Sequence, residues 1–244
     1  LNSVYQKERL MEAETRTFDY KIFFKSSEYQ FDYSVTISDD NYEHPPPVKE
    51  EPEWCDLEYK KCPNCTLSSI WHPQCPLALR LIPFVELPAC NSYDEVHAEV
   101  EFDGMKTTYD TSAQEAFSSL IGLVMATSGC PHTEFFKPMA WFHRPFSSPD
   151  ETMYRACTTY LFSHFVHQDD SQQTLSFDFL KVVYQNIHTI NVHIALRIRN
   201  YLETDSAINA IVLLDLITKD LPIAIDEDLS ELKKMFIGHE QIYK

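Results

Sequence analysis

Cys62, Cys65, His72 and Cys75 all fall within the fourteen residues "CPNCTLSSIWHPQC". Cys62-x-x-Cys65 sets two thiols on one tight turn, a spacing suited to sharing a metal ion, and Cys75 supplies a third. His72, Cys55, Cys90 and Cys130 compete for the fourth place. The cysteine-proline pair of Cys62 and Cys75 recurs at Cys130, in "SGCPHTEFF", which favours that residue. The pattern predicts a zinc site at Cys62, Cys65, Cys75 and Cys130, with His72 as the alternative fourth ligand. Zinc held this way adds folding energy to an irregular, proline-punctuated segment. An iron–sulfur cluster is the alternative cofactor, because proline directly after a cysteine also marks ferredoxin cluster sites. Against both stands a set of buried free thiols, a common fate for cysteine. A thioredoxin-like dithiol would call for a βαβ context, which the sequence does not offer.

A second group lies in "SGCPHTEFFKPMAWFHRPF", where Cys130, His132 and His143 could act as ligands, or as a nucleophile and base. Its structural reading is a helix end capped at Gly129, with the histidines bonded to backbone carbonyls. His164/His167 and His188/Asn191 are i, i+3 pairs, but neither supplies the Glu-x-x-His of a di-metal bundle. Asp215 interrupts the apolar run "AINAIVLLDLITKD" and needs a partner, with Arg155, Arg197 and Arg199 as candidates. G-x-S-x-G, H-E-x-x-H and glycine-rich phosphate loops are all missing, and the chain has four glycines in total.

The elements around these residues follow from periodicity. Residues 17–25 and 29–37 alternate apolar and polar side chains across Ser26-Ser27-Glu28, which predicts an antiparallel hairpin. Val96, Ala98, Val100 and Phe102 lead into Asp103-Gly104, a strong signal for a second hairpin. Between them, "SDDNYEHPPPVKEEPEW" reads as an extended linker, and "CPLALRLIPFVEL" as a short buried segment kinked or ended near Pro83 and Pro88. From Ser112 the period changes to 3.6. Ser112/Glu115 and Ser148/Glu151 form capping-box patterns, and apolar stripes predict helices after each, over 174–201, over 205–219, and briefly after Asp226. The expected class is α+β. A small N-terminal antiparallel sheet occupies 1–111, with a cysteine-rich insert at about 54–90, and a helical bundle occupies 112–244.

The net charge of −17 repels phosphate backbones and anionic lipid, so neither nucleic acid nor membrane is an expected partner. The polar start of the chain and seven cysteines, an odd number, suit a reducing cytoplasm.

The segments "EWCDLEYKKCPNCTL", "QCPLAL", "MATSGCPHTEFFKPMAWFHRPF", "ETMYRACTTYLF" and "NAIVLLD" resemble a family of uncharacterised bacterial proteins carrying C-P-x-C-x-L and S-G-C-P motifs. The resemblance spans about 50 to 236. It implies that Cys62, Cys65, Cys75, Cys130 and His143 occupy motif positions, and it brings no activity with it. The first functional expectation is a metal-stabilised, cytoplasmic, non-enzymatic module that binds a protein partner. The alternative is an iron–sulfur or zinc-dependent redox protein with its site near Cys130, His132 and His143.

Overall fold

The computed structural model describes residues 15–38, 51–87, 90–167, 176–201, 205–227 and 229–239. The expected linker and Pro88 fall largely or wholly outside these ranges. Two hairpins form as the alternation requires: β1 (Thr15–Phe24) with β2 (Gln30–Ser38), and β3 (Glu95–Phe102) with β4 (Met105–Ser112). Asp103 and Gly104 both take positive φ, 49° and 74°, the geometry that matches a two-residue turn to strand twist. The sheet order is β2-β1-β3-β4, every pair antiparallel, with Ile22 facing Phe31 on one side and Ala98 on the other.

Because side chains alternate, one register buries Phe18, Tyr20, Ile22 and Phe24 together with Val35, Ile37, Val96, Ala98 and Val100. Two helices cover that face. α1 (Pro76–Val85) begins with proline where no N–H partner is needed, and it carries Pro83 within its last turn. α2 (Ala113–Ala126) presents Phe117, Leu120, Ile121 and Val124. Phe31 packs on Phe84 of α1 and Phe117 of α2, each with ring centres 5.4 Å apart.

The two capping boxes part company. At Ser148 the box is complete: its N–H donates to Glu151 Oε2 at 2.9 Å, and the Glu151 N–H donates to Ser148 Oγ at 3.2 Å. At Ser112 it fails. The serine side chain makes no capping bond, and the neighbouring Thr111 hydroxyl takes Glu115 instead.

After α2 come a 3-10 turn (Pro131–Phe136), α3 (Lys137–Trp141), α4 (Pro149–His167), α5 (Asp178–Ile198), α6 (Ser206–Asp226) and α7 (Ser230–Lys233). The stripe Ile187, Ile190, Ile194 and Ile198 of α5 joins the same core as the sheet. Among the described residues, no helix is long and apolar enough to cross a membrane.

Candidate functional site: a thiol-lined chamber

The insert is short on regular structure and is held by hydrogen bonds. A 3-10 turn at Glu53–Cys55 leads to a single bridge between Asp56 and Gln74. On either side of it, Cys75 N–H donates to Cys55 O at 2.7 Å and Leu57 N–H to Pro73 O at 2.8 Å. The loop in between is closed at its base, and Cys65 N–H donates to Cys62 O at 3.0 Å to form the C-x-x-C turn.

α5 clamps this loop from the helical side. Arg197, 1% exposed, sends its guanidinium into the insert and donates to Trp54 O (3.0 Å), Asp56 O (2.6 Å) and Leu57 O (2.9 Å). Lys60 Nζ donates to Leu196 O at 2.6 Å, and His193 Nδ1 to Lys60 O at 3.1 Å. Asn64 donates to Asn186 Oδ1 at 3.0 Å, while His132 Nε2 donates to Asn64 O at 2.6 Å. His132 is therefore a structural donor to a carbonyl, with its proton on Nε2.

These contacts bring Cys62, Cys65, Cys75 and Cys130 to one cavity of about 20 Å³. Leu57, Leu67, Leu77, Ile190 and Ile194 supply apolar wall, and Arg197 lines it as well. Cys75 acts on Cys55, Cys62 and Cys130 alike, raising the thiol of each. Burial pushes the Cys62 thiol up to about 11, helped by Cys75 and opposed by the Arg197 guanidinium. Burial likewise lifts Cys130 to about 12, against the backbone N–H of His132. Cys75 is raised by burial too, but the N–H groups of Ala78 and Leu77 at the start of α1, together with Arg197, pull it back. The net shift of Cys75 is still upward: the helix N-terminus and the guanidinium oppose burial without overcoming it.

Convergence on a cavity is not convergence on a point. Among the described residues, no group of three or more His, Cys, Asp or Glu side chains is placed to hold a metal ion. The expectation of a metal-stabilised module is corrected on that geometry, and so is the alternative of a metal-dependent redox site at Cys130, His132 and His143. His72 is exposed and away from the cavity lining. His143 is elsewhere altogether. Its ring meets Phe18 edge-on at 5.3 Å, and its Nε2 lies 2.6 Å from the Tyr20 hydroxyl, which also contacts Ser119 Oγ at 3.0 Å. Burial, and then the Arg155 guanidinium, drive His143 down to about 3, so the ring is neutral at ordinary pH.

Asp215 has different partners from the arginines expected. His188 Nδ1 (2.7 Å), Asn191 Nδ2 (3.3 Å), Thr218 Oγ1 (2.9 Å) and Lys219 Nζ (2.8 Å) surround its carboxylate. Arg155 instead donates to Met139 O and Phe142 O. Cys90 and Cys157 are buried away from the chamber, whereas Cys55 is buried directly across the bridge from Cys75.

A four-stranded antiparallel sheet backed by helices, with a thiol chamber between an irregular insert and α5, defines an α+β protein with an unusual cysteine centre. The chain belongs to DUF6901, a family described as a domain of unknown function, which matches residues 18–237. No curated protein and no solved structure matches it.

Proposed function

We propose that this protein is a thiol–disulfide switch centred on Cys75. The observation that carries the reading is the gathering of four cysteines from three separate stretches of chain around one small cavity, with a buried guanidinium in its wall. All seven cysteines stand as free thiols in the structure. In the switch, Cys75 and Cys62 lose two protons and two electrons to a two-electron oxidant and form one S–S bond, and an external dithiol reverses the step. The linkage closes the loop between the C-x-x-C turn and the head of α1, and so changes how the insert sits on α5.

The test is a thiol count on intact protein, reduced and then oxidised with diamide, followed by peptide mapping. The expected result is two fewer reactive thiols of the seven, with a Cys62–Cys75 cross-link. Retention of all seven thiols, or a cross-link that leaves Cys75 out, sinks the proposal. Stoichiometric zinc or iron masking the four chamber thiols in freshly isolated protein sinks it too.

A further inference from the structure

Far from the chamber, the sheet ends at an open strand. In the order β2-β1-β3-β4, β4 pairs with β3 alone among the described residues, and it carries neither proline nor bulge, the usual guards of an edge. The register shows which of its main-chain groups face outward. A two-residue turn leaves its flanking pair, Phe102 and Met105, hydrogen-bonded to each other, and bonded and unbonded pairs then alternate along the ladder. Lys106, Thr108 and Asp110 therefore turn their N–H and C=O away from β3. The far side of β3 shows the same parity: Glu95, which faces Ser112, turns its carbonyl to the Lys25 N–H at 3.0 Å. Among the described residues, no other strand or side chain takes the outward groups of Lys106, Thr108 and Asp110.

We infer that β4 pairs with β4 of a second copy of this chain, antiparallel about Thr108, so that one sheet runs through two molecules. The occupant is read from the strand's self-complementarity. A twofold axis perpendicular to the sheet keeps facing side chains on the same side only if it passes through a residue. Centred on Thr108, it sets Lys106 opposite Asp110 of the partner subunit at both ends of the seam, Thr107 opposite Tyr109, and Met105 opposite Thr111. Centred on Thr107 or Tyr109, it brings no opposite charges together. The Thr108 register also joins outward groups to outward groups: Thr108 bonds its own copy, and Lys106 bonds Asp110. Lys106 holds Glu99 at 2.8 Å and Asp110 holds Lys25 at 3.0 Å, so the seam continues an alternation of charge already present on that face. Met105 and Tyr109, 54% and 49% exposed, lose water in the pairing. From Met105 to Ser112 the strand is neutral within a chain of net charge −17, which makes it a strip where two such acidic molecules can meet.

The experiment is sedimentation equilibrium of the full chain at concentrations up to about 500 µM, in reductant so that no intermolecular disulfide contributes. A seam of one strand is small, so a monomer–dimer equilibrium with Kd on the order of 10–100 µM is expected. Thr108→Pro removes an N–H that β3 does not use, so the fold should survive, checked by circular dichroism, while Kd rises at least about tenfold. Lys106→Asp and Asp110→Lys each set like charges across the seam, and each alone should be monomeric. Mixed in equal amounts, the two variants should form a heterodimer, because every facing pair is then of opposite charge. A wild type that stays monomeric, a dimer indifferent to Thr108→Pro, or a mixture no more associated than its two components overturns the inference.

Discussion

His143 offers the sharpest test of how this fold responds to acid. Its ring is held neutral between Phe18 and the Tyr20 hydroxyl, and its folded pKa falls from 6.5 to about 3. Below pH 6.5 the unfolded chain takes up a proton at this position that the folded chain refuses. The stability tied to the neutral ring is thus fully present above 6.5 and is lost as pH falls toward 3. Each pH unit in that window costs up to about 1.4 kcal/mol, so moving from pH 7.5 to pH 5.0 costs about 2 kcal/mol. The residue as a whole is only half-buried, and water reaching its edge reduces this to roughly 1–2 kcal/mol.

His143→Gln removes the titrating ring and keeps a polar atom near the position of Nε2. Urea unfolding of wild type and variant at pH 7.5 and pH 5.0 isolates the contribution, because the carboxylates titrate alike in both. The variant is expected to be less stable at pH 7.5, through the damaged contact with Tyr20, and to lose about 1–2 kcal/mol less than wild type on acidification. Parallel losses in the two proteins would refute the argument, whatever their absolute stabilities.

Two further outcomes follow from contacts already described. Ser148→Ala should cost about 1 kcal/mol in urea unfolding, because both bonds of a working capping box vanish, whereas Ser112→Ala should cost under about 0.5 kcal/mol. Equal effects would show that cap geometry does not decide the difference. Arg197→Met strands the carbonyls of Trp54, Asp56 and Leu57, at about 1–3 kcal/mol each, and relieves a buried charge worth several kcal/mol. The carbonyls win, since the chain folded over them cannot turn to water. A net loss of about 2 kcal/mol and faster tryptic cleavage at Lys60 and Lys61 are expected, and a variant as stable as wild type would count against the clamp.

Both hairpins and the main helices were legible because their periods are local. Phe18 to Phe24 alternates over one strand, and Leu180 to Ile198 repeats along one helix, so each predicts its own buried face. Strand order was not legible, since the pairing of β1 with β3 spans the insert and leaves no mark on either strand. The failure at Ser112 has a similar cause: Thr111 sits one residue earlier and reaches the same glutamate, and pattern alone does not rank two hydroxyls. The cysteines of the chamber were legible by type and spacing, while Arg197 entered only as one of three candidate partners for Asp215 and instead binds the insert's carbonyls. A usable signal was present. Arg197 lies three residues beyond Ile194 and beside Ile198 on the buried stripe, and a charge on such a stripe must find polar groups inside the protein. The exposed backbone of a proline-broken insert offers just such groups. Tyr20 with His143 left no trace, because they meet only where the segment after α3 folds back onto β1.

The same burial that gathers the thiols sets how fast they can react, which bears on whether the chamber is a catalyst or a sensor. At pH 7.5 a thiol held at about 11, as Cys62 is, exists as thiolate in roughly one molecule in three thousand. Attack from Cys62 or from Cys130, at about 12, is correspondingly slow. Arg197 acts on Cys62 and Cys75 alike, so what sets Cys75 apart is the head of α1, whose Leu77 and Ala78 N–H groups oppose the rise that burial causes, and the first step is placed there. The second step does not need the same help, since an activated Cys75 and the Cys62 thiol line one cavity and meet at high effective concentration. The switch should therefore have a rate that climbs as pH rises above 7.5, set by ionisation of Cys75 alone. Cross-linking by diamide across pH 6.5 to 9.5 tests this. In a Cys62→Ser variant, alkylation of Cys75 by iodoacetamide should follow the same pH profile as wild-type cross-linking. A profile that shifts with the loss of Cys62 would assign the first attack to Cys62 and overturn the order of steps.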